Sequence, residues 1–190
     1  EILAVLPFIA GWMLARSGRW IWAGALLGVA VAAKLFALPL VPFVLGWPRL
    51  RAWLAAGLAA GGLYLPFWLQ GGGVGQAGFS AFATTWEFNS SLVGLLGMVL
   101  APAPSRLVPL AGGAALMAVW WWRWRGALPE RARFDWVLGV QLATSAVVNP
   151  WYLLWLVPFV AIRPSAAGWI ALPAVLLSYA TAMNLGIELA

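Results

Sequence analysis

Cysteine and histidine are both absent from this chain of 190 residues. Without cysteine there is no disulfide framework and no thiolate nucleophile. Without histidine, imidazole acid–base catalysis and histidine-ligated metal sites are excluded. The chemistry of this chain therefore rests on carboxylates, amides, hydroxyls and cationic side chains.

Charged residues are also scarce: they make up 8% of the chain, whereas hydrophobic residues make up 64%. A soluble domain carries about 25% charged residues because its surface must be solvated. The mean hydropathy is +0.93, and the 15 tryptophans suit a membrane–water interface, where indole rings concentrate. This composition predicts an all-α, polytopic transmembrane helix bundle in which residues 1–190 form a single transmembrane domain.

The basic residues, 11 Lys and Arg against 5 Asp and Glu, do not indicate a nucleic-acid partner, because the arginines lie in short flanks between apolar runs. Such flanks mark the cytoplasmic side of a membrane protein. They are Arg16/Arg19, Arg49/Arg51 and Arg123/Arg125/Arg131/Arg133. We therefore expect these flanks to be cytoplasmic, with membrane lipids rather than nucleic acid beside them.

Apolar runs divide the chain into membrane segments. They lie at about 2–15, 20–45, 52–69, 90–100, 107–122, 134–148, 152–162 and 166–184, whereas one perpendicular crossing needs roughly 20 residues. Because residues 20–45 begin and end at basic flanks, they are predicted to form a hairpin of two short helices that bends near Lys34–Pro39. After 52–69 a long external segment containing Gly71–Gly73 is expected, followed by an external surface helix near 90–100.

This topology collects six polar side chains on the extracytoplasmic side. They are Lys34, Glu87, Asn89, Arg106, Asn149 and Tyr152. A lysine at membrane depth costs about 3 kcal/mol on insertion scales, so Lys34 is either a contact for an anionic phosphate or a side chain that snorkels to the interface. Arg106 is either a contact for a lipid phosphate or a solvated loop residue.

The other four candidates also have two interpretations each. Glu87 and Asn89 carry donors and acceptors that suit sugar hydroxyls, whereas Asn89 or Ser90 would otherwise cap the short surface helix. Asn149 and Tyr152 belong either to an ordinary helix start around a proline or to a hydrogen-bonding site for a polar ligand. The sequence shows no paired carboxylates, nucleophile–base pair or metal cluster, so neither a catalytic residue nor a metal ligand is assigned.

Three motifs resemble those of the GT-C superfamily of membrane glycosyltransferases. Gly24-Ala25-Leu26-Leu27-Gly28-Val29-Ala30, leading to Lys34 and Leu38-Pro39-Leu40-Val41-Pro42, resembles their lysine-containing helix. Phe88-Asn89-Ser90-Ser91-Leu92 resembles their external asparagine–serine motif, and Asn149-Pro150-Trp151-Tyr152-Leu153-Leu154-Trp155-Leu156-Val157-Pro158 resembles the late signature of bacterial members. The nearest fit is glycosyltransferase family 87 with its polyprenol-phosphate-mannose-dependent mannosyltransferase relatives.

The resemblance implies transfer of a hexose, mannose at the family level, from a polyprenyl-phosphate donor to a lipid or glycan acceptor. It implies an active site on the outer face of a bacterial plasma membrane and no cofactor. Lys34 would lie near the donor phosphate, and Asn89, Asn149 and Tyr152 would line the sugar site. The family's base is an acidic residue of the first external loop, expected upstream of Glu1. The chain is therefore expected to be the C-terminal part of a longer protein and inactive alone.

Two other functions fit the same architecture. A polysaccharide ligase or polymerase also works outside on lipid-linked sugars, but it would use external arginines, of which Arg106 is the one candidate. A lipid-linked sugar flippase or secondary transporter should contain paired broken helices in related halves, whereas the sequence indicates one broken element, around Lys34. We therefore rank the glycosyltransferase first, the ligase second and the transporter third.

Overall fold

The computed structural model describes residues 1–125, 133–166, 168–170 and 173. Within these ranges the regular elements are all helical, which confirms the predicted all-α class. The α-helices are α1 (Ile2–Arg16), α2 (Trp20–Ala33), α3 (Val41–Leu45), α4 (Leu50–Thr84), α5 (Leu92–Gly97), α6 (Pro102–Trp124), α7 (Phe134–Thr144) and α8 (Val157–Ile162), with 3₁₀ helices at Leu35–Leu40 and Pro150–Trp155. The predicted apolar run at 166–184 lies largely outside the described residues.

The chain forms two compact units. The first unit comprises Glu1–Trp86 and Ala115–Arg133, and the second comprises Glu87–Ala114 and Phe134–Ala190. Helices α1 to α4 therefore belong to the first unit, and α5, α7 and α8 belong to the second. Helix α6 contributes its first half to the second unit and its last half to the first.

Two glycines allow α2 and α4 of the first unit to approach each other closely. A Cβ atom at Gly24 would lie 2.0 Å from the carbonyl oxygen of Ala52, and one at Gly28 would lie 2.3 Å from that of Ala56. Because these glycines are one helical turn apart, they lie on one face of α2 and let the two backbones touch, as small residues do between membrane helices. The later residue of α2 contacts the later residue of α4, so the two helices run parallel.

Replacing Gly24 with valine should destabilise this packing, because the new side chain would have to displace the backbone of α4. Overpacking of this kind costs about 1–3 kcal/mol, and Gly24→Val should lie at the upper end of that range because backbone cannot move aside as a side chain can. Thermal melting of the purified protein measures the effect. Gly57→Val is the matched control, because the position of its Cβ has no neighbour within 4 Å among the described residues. Equal losses in both variants would contradict the close packing.

Helix α2 ends at Lys34, whose backbone is extended with φ −160° and ψ 118°. The chain continues through the 3₁₀ helix, which contains Pro39, and through the short α3. It then returns to the start of α2, where the guanidinium of Arg49 lies 3.5 Å from the centre of the Trp20 ring. Both ends of the 20–45 run therefore lie at one end of α2, as the basic flanks predict, and the bend lies at Lys34.

Helix α4 is 35 residues long. Among the described helices, its segment Leu50–Gln70 is the one stretch that is long and apolar enough to cross a membrane, judged by length and composition. Its large apolar side chains are mostly exposed: Leu58 is 77% exposed and Phe67 is 75% exposed. This helix is therefore compatible with membrane association.

The end of α4 corrects the sequence analysis. The predicted crossing stops at residue 69, whereas the helix continues through Gly71–Gly73 to Thr84. Each glycine costs only about 1 kcal/mol relative to alanine inside a helix, and no proline follows Pro66 until Pro102. The glycines weaken this helix but do not end it. A short helix, α5, lies within the predicted range 90–100.

Candidate functional site

Lys34 forms an ion pair at one end of the first unit. Its Nζ donates a hydrogen bond to Oε1 of Glu1, and the two side chains are 23% and 7% exposed, respectively. The ammonium also lies 5.8 Å from the centre of the Phe36 ring, within the range of a cation–π contact. A cation that would be costly to bury alone is thus stabilised by a carboxylate and an aromatic ring.

The break in the helix positions the Lys34 side chain. The amide N–H of Lys34 still donates to the Ala30 carbonyl of α2 at 3.0 Å, and the Lys34 carbonyl accepts from the Ala37 N–H of the next helix at 3.0 Å. Lys34 is therefore one extended residue between two helical segments, with its backbone hydrogen bonds made on both sides. The backbone N–H and C=O of Lys34 are therefore both hydrogen-bonded at the bend. Inside a membrane, unpaired backbone groups would be disfavoured.

The ion pair lies at the opposite end of α1 and α2 from the basic Arg16/Arg19 flank. A Cβ atom at Gly11 would lie 3.1 Å from the carbonyl oxygen of Ala23, so α1 and α2 pack antiparallel and the flank joins them at the other end. Glu1 is thus a site residue that sequence reasoning missed. A signal was available, because the topology that predicts an extracytoplasmic Lys34 predicts the same side for Glu1.

In the second unit, a short backbone pairing joins two segments that are far apart in the sequence. The Phe88 N–H donates to the Ala146 carbonyl at 3.0 Å, and the Val148 N–H donates to the Phe88 carbonyl at 2.8 Å. These bonds form an isolated parallel β-bridge between Phe88 and Val147. The bridge brings the asparagine–serine segment beside the residues that lead into Asn149.

Asn89 turns the chain from this bridge into α5. Its φ is 50°, a left-handed conformation that asparagine adopts more readily than most residues, and its Nδ2 donates to the Val148 carbonyl at 3.4 Å. The N-cap residue of α5 is Ser91, with no side-chain cap hydrogen bond. The prediction that Asn89 or Ser90 caps this helix is therefore wrong, because the Asn89 amide is directed at Val148 and the Ser90 hydroxyl at Glu87.

Glu87 is held by two neighbours within the second unit. The Ser90 hydroxyl donates to Oε1 at 2.5 Å, and a guanidinium nitrogen of Arg106 lies 3.8 Å from Oε2. The Glu87 side chain is 45% exposed, whereas that of Arg106 is 15% exposed. The carboxylate therefore remains open to hydroxyl groups of a ligand, while the arginine orients it from a more buried position.

Asn149 and Tyr152 lie at the start of the 3₁₀ helix Pro150–Trp155. Pro150 occupies the first helical position, where a missing N–H is tolerated, and the Asn149 carbonyl accepts from the Tyr152 N–H at 2.9 Å. The Asn149 side chain makes no cap hydrogen bond. Tyr152 is only 6% exposed, so its ring packs in the interior of the second unit. Asn149 is the more accessible of the two for a ligand.

The structure thus divides the six predicted residues between the units. The second unit contains Glu87, Asn89, Arg106, Asn149 and Tyr152, and the first contains Lys34. Comparison with protein-family models, with curated proteins and with solved structures gives no match. The function therefore has to be inferred from the chemistry of these side chains and from the motifs that contain them.

Proposed function

We propose that the protein is a multi-pass membrane glycosyltransferase of the GT-C type. It moves a hexose, mannose by family resemblance, from a polyprenyl-phosphate donor to a lipid or glycan acceptor on the extracytoplasmic face of a bacterial plasma membrane. The observation that carries this proposal is the backbone bridge between Phe88 and Val147. It joins the two motifs of the second unit that resemble the family, although 59 residues separate Asn89 from its partner Val148.

The polar groups around this bridge suit a sugar. Asn89 and Asn149 each offer an amide that donates and accepts hydrogen bonds, and the Glu87 carboxylate accepts them. A hexose presents several hydroxyl groups that both donate and accept, so a mixed set of this kind matches it better than cations alone. The contacts of Ser90 and Arg106 with Glu87 keep the carboxylate in one orientation before the sugar arrives.

Lys34 supplies a cation for the donor phosphate. In the resting protein this charge is balanced by Glu1. The ammonium has three N–H donors, so a phosphate can accept from it beside Glu1, in a charge-assisted hydrogen bond of the strong class. The polyprenyl tail then stays in the bilayer while the phosphate is held at the end of α2.

In the transfer step, the acceptor hydroxyl oxygen attacks the anomeric carbon of the donor sugar, and the bond from that carbon to the phosphate oxygen breaks. The leaving polyprenyl phosphate keeps the electron pair and gains negative charge, which by family resemblance the lysine-containing motif stabilises. The proton of the acceptor hydroxyl goes to a general base. By family resemblance this base is an acidic residue.

The direct test is transfer by the protein expressed from its complete gene. Membranes that contain it should move radiolabelled mannose from polyprenyl-phosphate-mannose to an extractable lipid or glycan, and membranes from cells with an empty vector should not. If intact lipid-linked sugar instead crosses sealed vesicles with no transferred product, the protein is a flippase and the glycosyltransferase proposal fails.

The proposed orientation can be tested by cysteine labelling, since the chain has no cysteine of its own. Met98→Cys replaces a side chain that is 79% exposed just after α5, so an impermeant maleimide should label it in intact cells. Ser17→Cys, in the turn between α1 and α2, should react only after permeabilisation because it lies in the basic flank. The reverse pattern, or labelling of both cysteines in intact cells, would rule out this orientation.

A further inference from the structure

A cavity of about 950 Å³ opens at the end of the first unit that carries the basic flanks. Its walls are residues 18–22, where α2 begins, and residues 48–52, where α4 begins. Three arginines and two tryptophans contribute to them: Arg19, Arg49, Arg51, Trp20 and Trp22. The cavity therefore lies at the far end of α2 from Lys34 and is separate from the groups of the proposed transfer reaction.

Arg49 is already fixed in the wall of this cavity. One guanidinium nitrogen donates to the Leu45 carbonyl at 2.6 Å, and the guanidinium carbon lies 3.5 Å from the centre of the Trp20 ring. The turn that carries Arg49 is itself held, because the indole N–H of Trp53 donates to the Gly46 carbonyl at 2.8 Å. A cation held in this way loses little conformational freedom when an anion binds it.

The charge around the cavity has one sign. Among the described residues of the first unit, Glu1 is the one acidic side chain, and it lies beside Lys34 at the other end of α2. Arg19 and Arg51 are both exposed at the cavity wall. The cavity therefore presents positive charge to an incoming ligand.

The other lining residues favour one of two classes of anionic ligand, a free phosphate or a phospholipid. Ile21, Leu50 and Ala52 give the cavity an apolar wall beside the guanidinium groups. A free phosphate would leave this wall in contact with water, whereas a phospholipid would cover it with its glycerol and the first part of its acyl chains. Positively charged loops are cytoplasmic by the usual bias, and anionic lipids are attracted to such basic pockets between membrane helices.

We propose that this cavity binds the phosphate head group of an anionic phospholipid from the cytoplasmic leaflet. Arg49 contacts the phosphate. Arg19 reaches it from just before α2, and Arg51 reaches it from the first turn of α4. Trp22, which is 67% exposed, lies against the glycerol region.

The probe is phosphatidylglycerol in nanodiscs of phosphatidylcholine that contain the protein expressed from its complete gene. Lipid retained by the protein, measured by native mass spectrometry as the phosphatidylglycerol fraction rises, should saturate at one tightly held molecule. Arg49→Gln should weaken this binding about tenfold, as expected when a charge-assisted hydrogen bond to the phosphate is lost. Arg19→Gln should have a similar effect and tests the proposal even if Arg49→Gln fails to fold, because Arg19 is exposed.

Arg125→Gln is the matched control. Arg125 also stacks on an indole, with its guanidinium 3.5 Å from the centre of the Trp122 ring, but it does not line the cavity. It should change binding less than twofold. An equal loss in Arg125→Gln, or no loss in Arg49→Gln and Arg19→Gln, would overturn the proposal. Displacement of the bound lipid by millimolar inorganic phosphate would assign the cavity to a soluble anion instead.

Discussion

Lys34→Met should lower sugar transfer about 100-fold in the protein expressed from its complete gene. The substitution keeps a long unbranched side chain but removes the cation that is proposed to hold the donor phosphate. Hydrogen bonds to charged groups contribute about 1.5–3 kcal/mol, and each 1.4 kcal/mol is a factor of about ten in rate or affinity. Initial rates at several concentrations of polyprenyl-phosphate-mannose measure the effect.

The same substitution should also destabilise the first unit, because Glu1 is 7% exposed and loses its cation. Removing one partner of a buried ion pair costs about 3–5 kcal/mol, and the lower end applies since Lys34 retains 23% exposure. The double variant Glu1→Gln/Lys34→Met removes both charges and is the control. It should recover most of the thermal stability but not the transfer activity. Recovery of both would show that Lys34 has only a structural role.

Asn89→Gly should lower transfer between tenfold and 100-fold while leaving the fold intact. Glycine accepts the left-handed backbone at this position, φ 50°, at no steric cost, so the variant keeps the turn. It removes the amide that is proposed to bind the sugar, together with the hydrogen bond of that amide to the Val148 carbonyl. Leaving a polar partner without its hydrogen bond costs about 1–3 kcal/mol. Transfer rates and the thermal midpoint, measured on the same preparation, separate the two effects.

Asn89→Ala is the matched variant for the backbone. Alanine lacks the amide as glycine does, but it also strains the left-handed turn by roughly 1–2 kcal/mol. It should therefore lose as much activity as Asn89→Gly and melt at a lower temperature. If Asn89→Gly transfers sugar at the rate of the unaltered protein, the amide does not contact the substrate and the residue serves only the turn into α5.

Much of the first unit follows from the sequence through simple rules. The basic flanks at residues 16–19 and 49–51 require the chain between them to leave and return to one side, and the contact of Arg49 with Trp20 has that geometry. The bend at Lys34 was predictable because prolines follow it. The length of α4 was not, because a run of glycines indicates a helix end, whereas the backbone hydrogen bonds of α4 continue through Gly71–Gly73.

The candidate site was only partly predictable. The two segments that contain Asn89 and Asn149 were recognisable separately, but their pairing through Phe88 and Val147 depends on backbone hydrogen bonds between distant parts of the chain. No local pattern encodes such bonds. The alternative that Asn89 or Ser90 caps α5 is wrong for two reasons. The Asn89 amide donates to the distant Val148 carbonyl, and the Ser90 hydroxyl donates to the nearby Glu87 carboxylate.

The sequence by itself determined the all-helical class, the apolar character of the surface and the positions of some helix boundaries, such as the starts of α1, α2 and α7. These depend on composition, on hydropathy and on charges close together in the chain. Only the tertiary structure decided that Glu1 balances Lys34, that Glu87 lies beside Arg106, and that Gly24 and Gly28 let α4 rest on α2. These contacts join residues far apart in the sequence, and they form only when packing brings particular helix faces and loops together.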